Sequence, residues 1–226
     1  MRRRSWYTGS NFSMSCTTRT TVTDVLKKKA EEQKMFSVQA VRAAFGAHYM
    51  EYGSEIEEAL FEGSVSMLTH DALIGVMDRH HENWGVIVRR ELGAPPPRFS
   101  PLYDSARGLF CNWGDEGLAR FNEEKGSGLL DSCVSKARPL VGFLGLEANG
   151  RSYVTHPELL AAVFHCYPQH RSRIAQILGA YDWKAVRNVL ERELGSVCSA
   201  NRRTLILVCL RRRNRAIWRA IDRYQA

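Results

Sequence analysis

The stretch GVMDRHHENWGVI, residues 75–87, places acidic, basic and amide side chains between apolar flanks. Phosphoryl transfer to a hydroxyl needs an acid that orients the hydroxyl and accepts its proton, together with oxygen ligands for Mg²⁺. Asp78 and Asn83 have the D-x-x-x-x-N spacing of a kinase-type acid and its amide ligand. Asp104, in SPLYDSARGLF, is a candidate for the second metal-binding acid. This pattern indicates phosphotransfer chemistry.

The same residues also have a purely structural interpretation. Asp78 could belong to the turn that follows a helix, and Asn83 is a residue type that tolerates the left-handed turn conformation. Arg79 could brace a carboxylate or a phosphate, or it could equally lie in solvent. The chemistry of the residues alone leaves the catalytic and the structural interpretations equally open.

Two helices are predicted ahead of the polar stretch. Ser54 and Glu57 form a possible capping box for a helix that Gly63 would end. Thr69 could cap a short second helix that runs through Met77.

A β segment is predicted on the other side of the polar stretch. The alternating β-formers of NWGVIVRRE, residues 83–91, favour a strand, and the prolines of GAPPPRFSPLYD indicate a loop after it. A strand–turn–strand arrangement would return Asp104 to the side of Asn83. The sequence therefore predicts that Asp78, Asn83 and Asp104 converge around a space the size of one metal ion.

The remainder of the chain is predicted to be helical. Thr155 and Glu158 bracket a second capping box, with Pro157 in the first turn of its helix. Apolar residues recur at helical spacing in three more segments, which are residues 38–49, 183–194 and 201–224. The predicted fold class is therefore mainly α (α+β), with a small β-ribbon that carries the polar loop.

GVMDRHHENWGVI followed by PLYDSARGLF resembles the catalytic segments of the HipA-like serine/threonine kinases of bacterial toxin–antitoxin systems. That family has a D-x-H-x-x-N loop followed by an aromatic residue and glycine, and its metal-binding acid lies in a Pro-(Leu/Ile)-Tyr-Asp segment. The tail LILVCLRRRNRAIW is similar to the family's arginine-rich final helix. The resemblance covers roughly residues 38–225 and is most specific over 71–110.

The resemblance implies a role for each site residue. Asp78 would be the catalytic base, and His80, at the motif position beside it, would shape the loop. Asn83 and Asp104 would hold Mg²⁺, and Arg79 and Asn83 would contribute to binding the cofactor. The implied reaction transfers phosphate from ATP to a serine or threonine of a protein substrate, and the family's common partner is a small DNA-binding antitoxin.

Some parts of a complete kinase are missing from the sequence. It contains neither a G-x-G-x-x-G nor a Walker A pattern, and the lysines at 27–29 favour a solvated helix face. We therefore expect a polar arm with a partial helix over 1–36, a kinase C-lobe over 37–226, and an N-lobe that is absent or separately encoded. Such a chain would have little or no kinase activity alone, or would act as a protein- or nucleic-acid-binding module.

The composition limits other functions. The net charge of +8 favours acidic partners, but the apolar stripe of the arginine-rich last helix favours a solvated face over a nucleic-acid surface. The six cysteines form no C-x-x-C, and the adjacent His80 and His81 would point apart rather than share a zinc ion. The start of the chain lacks the apolar region of a signal peptide, and no apolar run is long enough to span a membrane. We expect a cytoplasmic protein.

Overall fold

The computed structural model describes residues 6–7, 33, 36–89, 91, 93–105, 107–122, 126–146 and 154–224. These residues are mainly helical with one small sheet, as the sequence predicts. The helices are α1 (Val38–Tyr49), α2 (Ser54–Ile74), α3 (Asp115–Ala119), α4 (Gly126–Ser135), α5 (His156–Cys166), α6 (Arg171–Gly179), α7 (Trp183–Leu194) and α8 (Ala200–Arg223). The polar arm and partial helix expected over 1–36 lie outside the described residues, apart from Trp6, Tyr7, Gln33 and Phe36.

Helix α2 is one continuous helix where the sequence predicted two shorter ones. Gly53 is its N-cap, so the expected capping box of Ser54 and Glu57 is wrong. Gly63 does not end the helix, and Thr69 lies within it, donating its hydroxyl to the Val65 carbonyl at 2.8 Å. The reason is burial, because the apolar side chains along α2 belong to the main core. Their burial outweighs a mid-helix glycine, which costs about 1 kcal/mol relative to alanine.

The sheet has three short antiparallel strands in the order β1 (Trp6–Tyr7), β2 (Val86–Ile87) and β3 (Arg98–Phe99). The strand predicted over 83–91 is therefore too long. The register of β2 and β3 would next place Val88 opposite Pro97, which has no amide proton to donate. The predicted strand–turn–strand arrangement is nevertheless present, and it returns the chain toward the polar loop.

Gly63 of α2 has no side chain, and this lets the sheet pack closely against the helix. A Cβ atom built on Gly63 would lie 2.5 Å from the Cβ atom of Phe99, which is far inside van der Waals contact. Phe99 also stacks on Trp84, with their ring centroids 5.8 Å apart. Gly63 is therefore a packing residue that lets strand β3 lie directly on α2.

The last helix joins two apolar clusters. The larger cluster lies between α1, α2, α5 and α6 and includes Ile217 and Ile221 from the second half of α8. The smaller one lies between α3, α4 and α7 and includes Leu205 to Leu210 from the first half of α8. The predicted capping box of α5 is present, with the Glu158 carboxylate accepting the Thr155 N–H at 2.8 Å. Within the described part of the chain, no helix is both long and apolar enough to cross a membrane.

We expect Gly63→Ala to lower the free energy of unfolding by about 1–3 kcal/mol, because the added methyl group must displace Phe99. Urea denaturation of the purified variant measures the change. Gly179→Ala is the matched control, because Gly179 is also helical and a Cβ atom there meets nothing within 4 Å. That control should be neutral or stabilising by up to about 1 kcal/mol, and equal effects of the two variants would contradict the packing argument.

Candidate active site

The polar loop begins where α2 ends. Gly75 is in the left-handed conformation with φ 73°, and its N–H donates to the Asp71 carbonyl at 2.7 Å. A Cβ atom on Gly75 would lie 2.3 Å from the Arg213 guanidinium of α8. Both the backbone conformation and this close approach require glycine, so the position at which the chain leaves α2 is tightly specified.

Arg79 and Asp71 form a buried ion pair beside this turn. Their side chains are 1% and 2% exposed. The guanidinium donates from Nε to Asp71 Oδ2 at 2.9 Å and from Nη2 to Asp71 Oδ1 at 2.7 Å. This two-pronged geometry is among the strongest pairings that arginine makes with a carboxylate. Arg79 therefore braces a carboxylate, which is one of the roles left open for it by the sequence.

The other donors of Arg79 connect two loops. Nη1 donates to the carbonyls of Asn83 at 3.0 Å, Tyr103 at 2.5 Å and Asp104 at 3.4 Å. Nη2 also donates to the Ser105 hydroxyl at 2.9 Å. One buried side chain thus holds the loop that contains Asn83 against the loop that contains Asp104, and this contact brings together the two segments singled out by the sequence.

The electrostatics of this pair reflect its burial. Burial raises the pKa of Asp71, although the hydrogen bond and charge of Arg79 act to lower it. Burial alone would lower the pKa of Arg79, but the bond to Asp71 and the nearby carboxylates, including Asp104 and Asp78, outweigh it and raise that pKa. We regard the pair as charged, because two short hydrogen bonds from a guanidinium stabilise the carboxylate directly.

Asp78 has one engaged and one unengaged oxygen. Its Oδ2 atom lies 3.1 Å from Nε of Arg107, which is 66% exposed, while the Asp78 side chain is 25% exposed. Its Oδ1 atom is buried and accepts no hydrogen bond from any residue that the structure describes. A buried acceptor without a donor is costly, so the Asp78 carboxylate has unused capacity to accept a further hydrogen bond.

Asn83 and His80 are fixed by local hydrogen bonds. The Asn83 amide nitrogen donates to the Asp78 carbonyl at 3.1 Å, which leaves Oδ1 as the atom that could bind a cation. His80 caps the short 3₁₀ turn His81–Asn83, accepting the Glu82 N–H at its Nδ1 atom at 3.4 Å. His80 therefore stabilises the turn that contains Asn83.

Asp104 is held in an uncommon backbone conformation. Its φ is +50°, in the left-handed region, which costs a non-glycine residue of order 1–2 kcal/mol. The hydrogen bonds from Arg79 to the Tyr103 and Asp104 carbonyls hold the chain there, and the Asp104 residue is exposed. Strain of this kind is common where a side chain must be aimed at a ligand.

The donor set suits a magnesium ion that is shared with a phosphate. Mg²⁺ usually takes one or two protein carboxylates together with water and phosphate oxygens, and the Asp104 carboxylate and the Asn83 amide oxygen are of the chemical type that could hold it. No cluster of three or more His, Cys, Asp or Glu side chains suited to a metal exists among the described residues.

A buried histidine is hydrogen-bonded to the backbone at the start of the polar loop. His156, at the start of α5, lies 2.8 Å from the Val76 carbonyl through Nε2, and we assign the proton to that atom. Burial lowers the pKa of His156 to about 3, and the charge of Arg213 acts in the same direction. His156 is therefore neutral at physiological pH and ties α5 to the segment between Gly75 and Asp78.

Sequence reasoning missed four residues that shape the site: Asp71, Arg107, His156 and Arg213. Asp71 is eight positions before Arg79, and no local pattern predicts that the two meet. Arg107 lies three residues after Asp104, so its position within SPLYDSARGLF could have indicated that it belongs to the site. His156 and Arg213 approach the loop only through tertiary packing.

We expect Asp71→Asn to lower the free energy of unfolding by about 3–5 kcal/mol, because it leaves Arg79 buried without its counter-charge. Chemical denaturation measures this loss. Glu62→Gln is the matched control, because Glu62 and Arg173 form an exposed pair whose nitrogen and oxygen are 3.7 Å apart. The control should cost about 0–1 kcal/mol, and a similarly small effect of Asp71→Asn would contradict the importance of the buried pair.

We expect His156 to make the fold sensitive to acid. The unfolded histidine takes up a proton below pH 6.5, whereas the folded one does so only near pH 3, so stability falls as the pH falls through that window. When the pH is lowered from 7 to 5, the free energy of unfolding of His156→Gln should decrease by about 2 kcal/mol less than that of the parent protein. Denaturation at both pH values measures this, with His48→Gln, at an exposed position, as the control. The same pH dependence in His156→Gln and the parent would contradict the assignment.

Comparison with known proteins supports the fold. No family model matches this chain, and no curated protein does. Among solved structures, the chain is similar to the Helicobacter pylori proinflammatory kinase CtkA, with a TM-score of 0.61 and 14% sequence identity over 88% of this chain and 68% of that one. The chain therefore has a kinase-like fold, and the predicted helical kinase C-lobe with a small β element is confirmed. The finer assignment to the HipA-like family stays a prediction.

Proposed function

We propose that this chain is the catalytic lobe of a HipA-like serine/threonine protein kinase, which transfers phosphate from ATP to a protein hydroxyl. One observation carries the proposal. The Arg79 guanidinium donates to the backbone carbonyls of both Asn83 and Asp104, and this shared contact supports our proposal that the D-x-x-x-x-N loop and the distant acid act together. The kinase-like fold supports the same conclusion.

In this proposal each polar side chain has a distinct role. Asp78 orients the substrate hydroxyl and accepts its proton, and its side chain is 25% exposed and held through Oδ2 by the exposed Arg107. Asn83 and Asp104 hold Mg²⁺ through oxygen atoms. When bound there, such an ion would supply positive charge that stabilises the charge developing on the transferred phosphate.

Two other residues position the loop. Arg79 is buried, and its guanidinium donates to protein acceptors. It therefore does not contact the nucleotide itself and acts by positioning Asn83 and Asp104. His80 maintains the turn that presents Asn83. Arg107 is an exposed cation at the mouth of the site, where its ion pair with Asp78 moderates the negative charge of the carboxylates.

The proposal includes a nucleotide-holding lobe supplied by another domain or polypeptide, because the sequence contains no glycine-rich phosphate loop. Positioning of the nucleotide supplies much of the rate of phosphoryl transfer. We therefore propose that the chain alone has little activity and that it acts on a protein serine or threonine when completed. A small DNA-binding antitoxin is the kind of partner that the resemblance implies.

We expect nucleotide binding to require both Mg²⁺ and Asp104. Asp104→Ala should weaken ATP binding by about tenfold or more in the presence of Mg²⁺, because it removes the carboxylate that joins metal to protein. Isothermal titration calorimetry with and without Mg²⁺ measures this.

Asp222→Ala is the charge-matched control, because Asp222 is an exposed aspartate on α8. The control should bind ATP as the parent does. ATP binding that is indifferent to Mg²⁺, or weakened equally in both variants, would overturn the proposed function.

A further inference from the structure

An open groove lies between α4 and α8, lined by residues that have no part in the proposed catalytic site. Its volume is about 480 Å³, which is within the usual range for ligand-binding clefts. Arg212, Arg215 and Arg219 of α8 line one side, and Asp131 and Val134 of α4 line the other. The groove therefore combines three guanidinium groups with one carboxylate.

The charges of the groove are unbalanced. Arg212 is already paired, because its Nη1 atom lies 2.5 Å from Asp131 Oδ1. Arg215 and Arg219 are both exposed, and neither forms a hydrogen bond or ion pair with a residue that the structure describes. They are four positions apart on one helix, where like charges face each other and repel. Two neighbouring, uncompensated guanidinium groups in a concave site indicate an anionic ligand.

The helix that carries these arginines is rigidly anchored. Its opposite face buries Asn214, Ile217 and Ile221, and the Asn214 amide donates to the Leu178 carbonyl at 2.8 Å. Arg213, between Arg212 and Asn214, donates to the Cys133 carbonyl of α4 at 2.9 Å. The helix positions that carry the exposed arginines are therefore fixed before any ligand arrives, so binding must order only their side chains.

The lining of the groove favours carboxylates on a peptide. Asp131 shows that the groove already accommodates a carboxylate against Arg212. Val134 and Ala216 offer apolar contact for the methylene groups of acidic side chains.

We propose that this groove binds a Glu- or Asp-rich segment of a partner protein, with two carboxylates paired to Arg215 and Arg219. The site is independent of phosphoryl transfer, and its occupation does not require the proposed kinase function. It gives the chain a docking surface on the lobe itself, whose lining includes neither Asp78 nor Asp104.

Fluorescence anisotropy with the full chain tests this proposal. The probes are a short labelled peptide rich in glutamate, a phosphoserine peptide, a lysine peptide of equal length and a short DNA duplex. The test variant is Arg215→Gln with Arg219→Gln. The control is Arg187→Gln with Arg192→Gln, which removes the same charge from exposed positions of α7. Thermal unfolding of each variant verifies that it is folded.

The glutamate peptide should bind the parent and the control equally, and the test variant at least about tenfold more weakly, since two charged pairs are lost. Equal weakening in both double variants would show diffuse charge attraction and overturn the proposal. Binding of the phosphoserine peptide alone, tighter binding of the DNA duplex, or no binding of the glutamate peptide would each overturn it as well.

Discussion

The buried pair of Arg79 and Asp71 is the interaction on which the arrangement of the candidate site depends. Removing two charges from water costs several kcal/mol per ion, and the mutual attraction compensates this only when the remaining donors are also satisfied. Arg79 meets that condition with acceptors from both polar loops, among them Asn83 and Tyr103. Another arrangement of these loops would leave donors of a buried cation unpaired. The pair therefore selects one loop geometry, which matters more for function than any net gain in stability.

That pair can form only because α2 and α8 fix where the loop starts. Asp71 lies in the last turn of α2, so its carboxylate is placed by a continuous helix of 21 residues. Gly75 then turns the chain in the left-handed conformation directly against Arg213. A side chain at Gly75 would displace either the turn or the guanidinium behind it. The site is thus supported by three consecutive requirements: an unbroken helix, a glycine at its end, and a buried arginine from the last helix.

Local patterns in the sequence predicted the parts of the structure that have local causes. The Thr155–Glu158 capping box and the helical spacing of 183–194 were correct because their stabilising contacts lie within a few residues. The break at Gly63 was wrong because its glycine serves a contact with Phe99, 36 positions away in sequence. The same limit applied to the site. The residue types and spacing of Asp78, Asn83 and Asp104 were visible, whereas the ion pair that joins their loops depends on tertiary packing.

The last helix links the candidate site and the basic groove through one rigid element. Arg213 packs against Gly75 beneath the loop, and its neighbours Arg212 and Arg215 line the groove. The sequence pattern alone favoured a solvated face for the arginines of this helix, but their environments differ by position. Arg213 is buried beside Cys209, while Arg215 is exposed. A ligand in the groove would therefore touch the same helix that supports the loop. Coupling between the two sites would require that helix to have two arrangements, and its burial on both apolar clusters favours a single one.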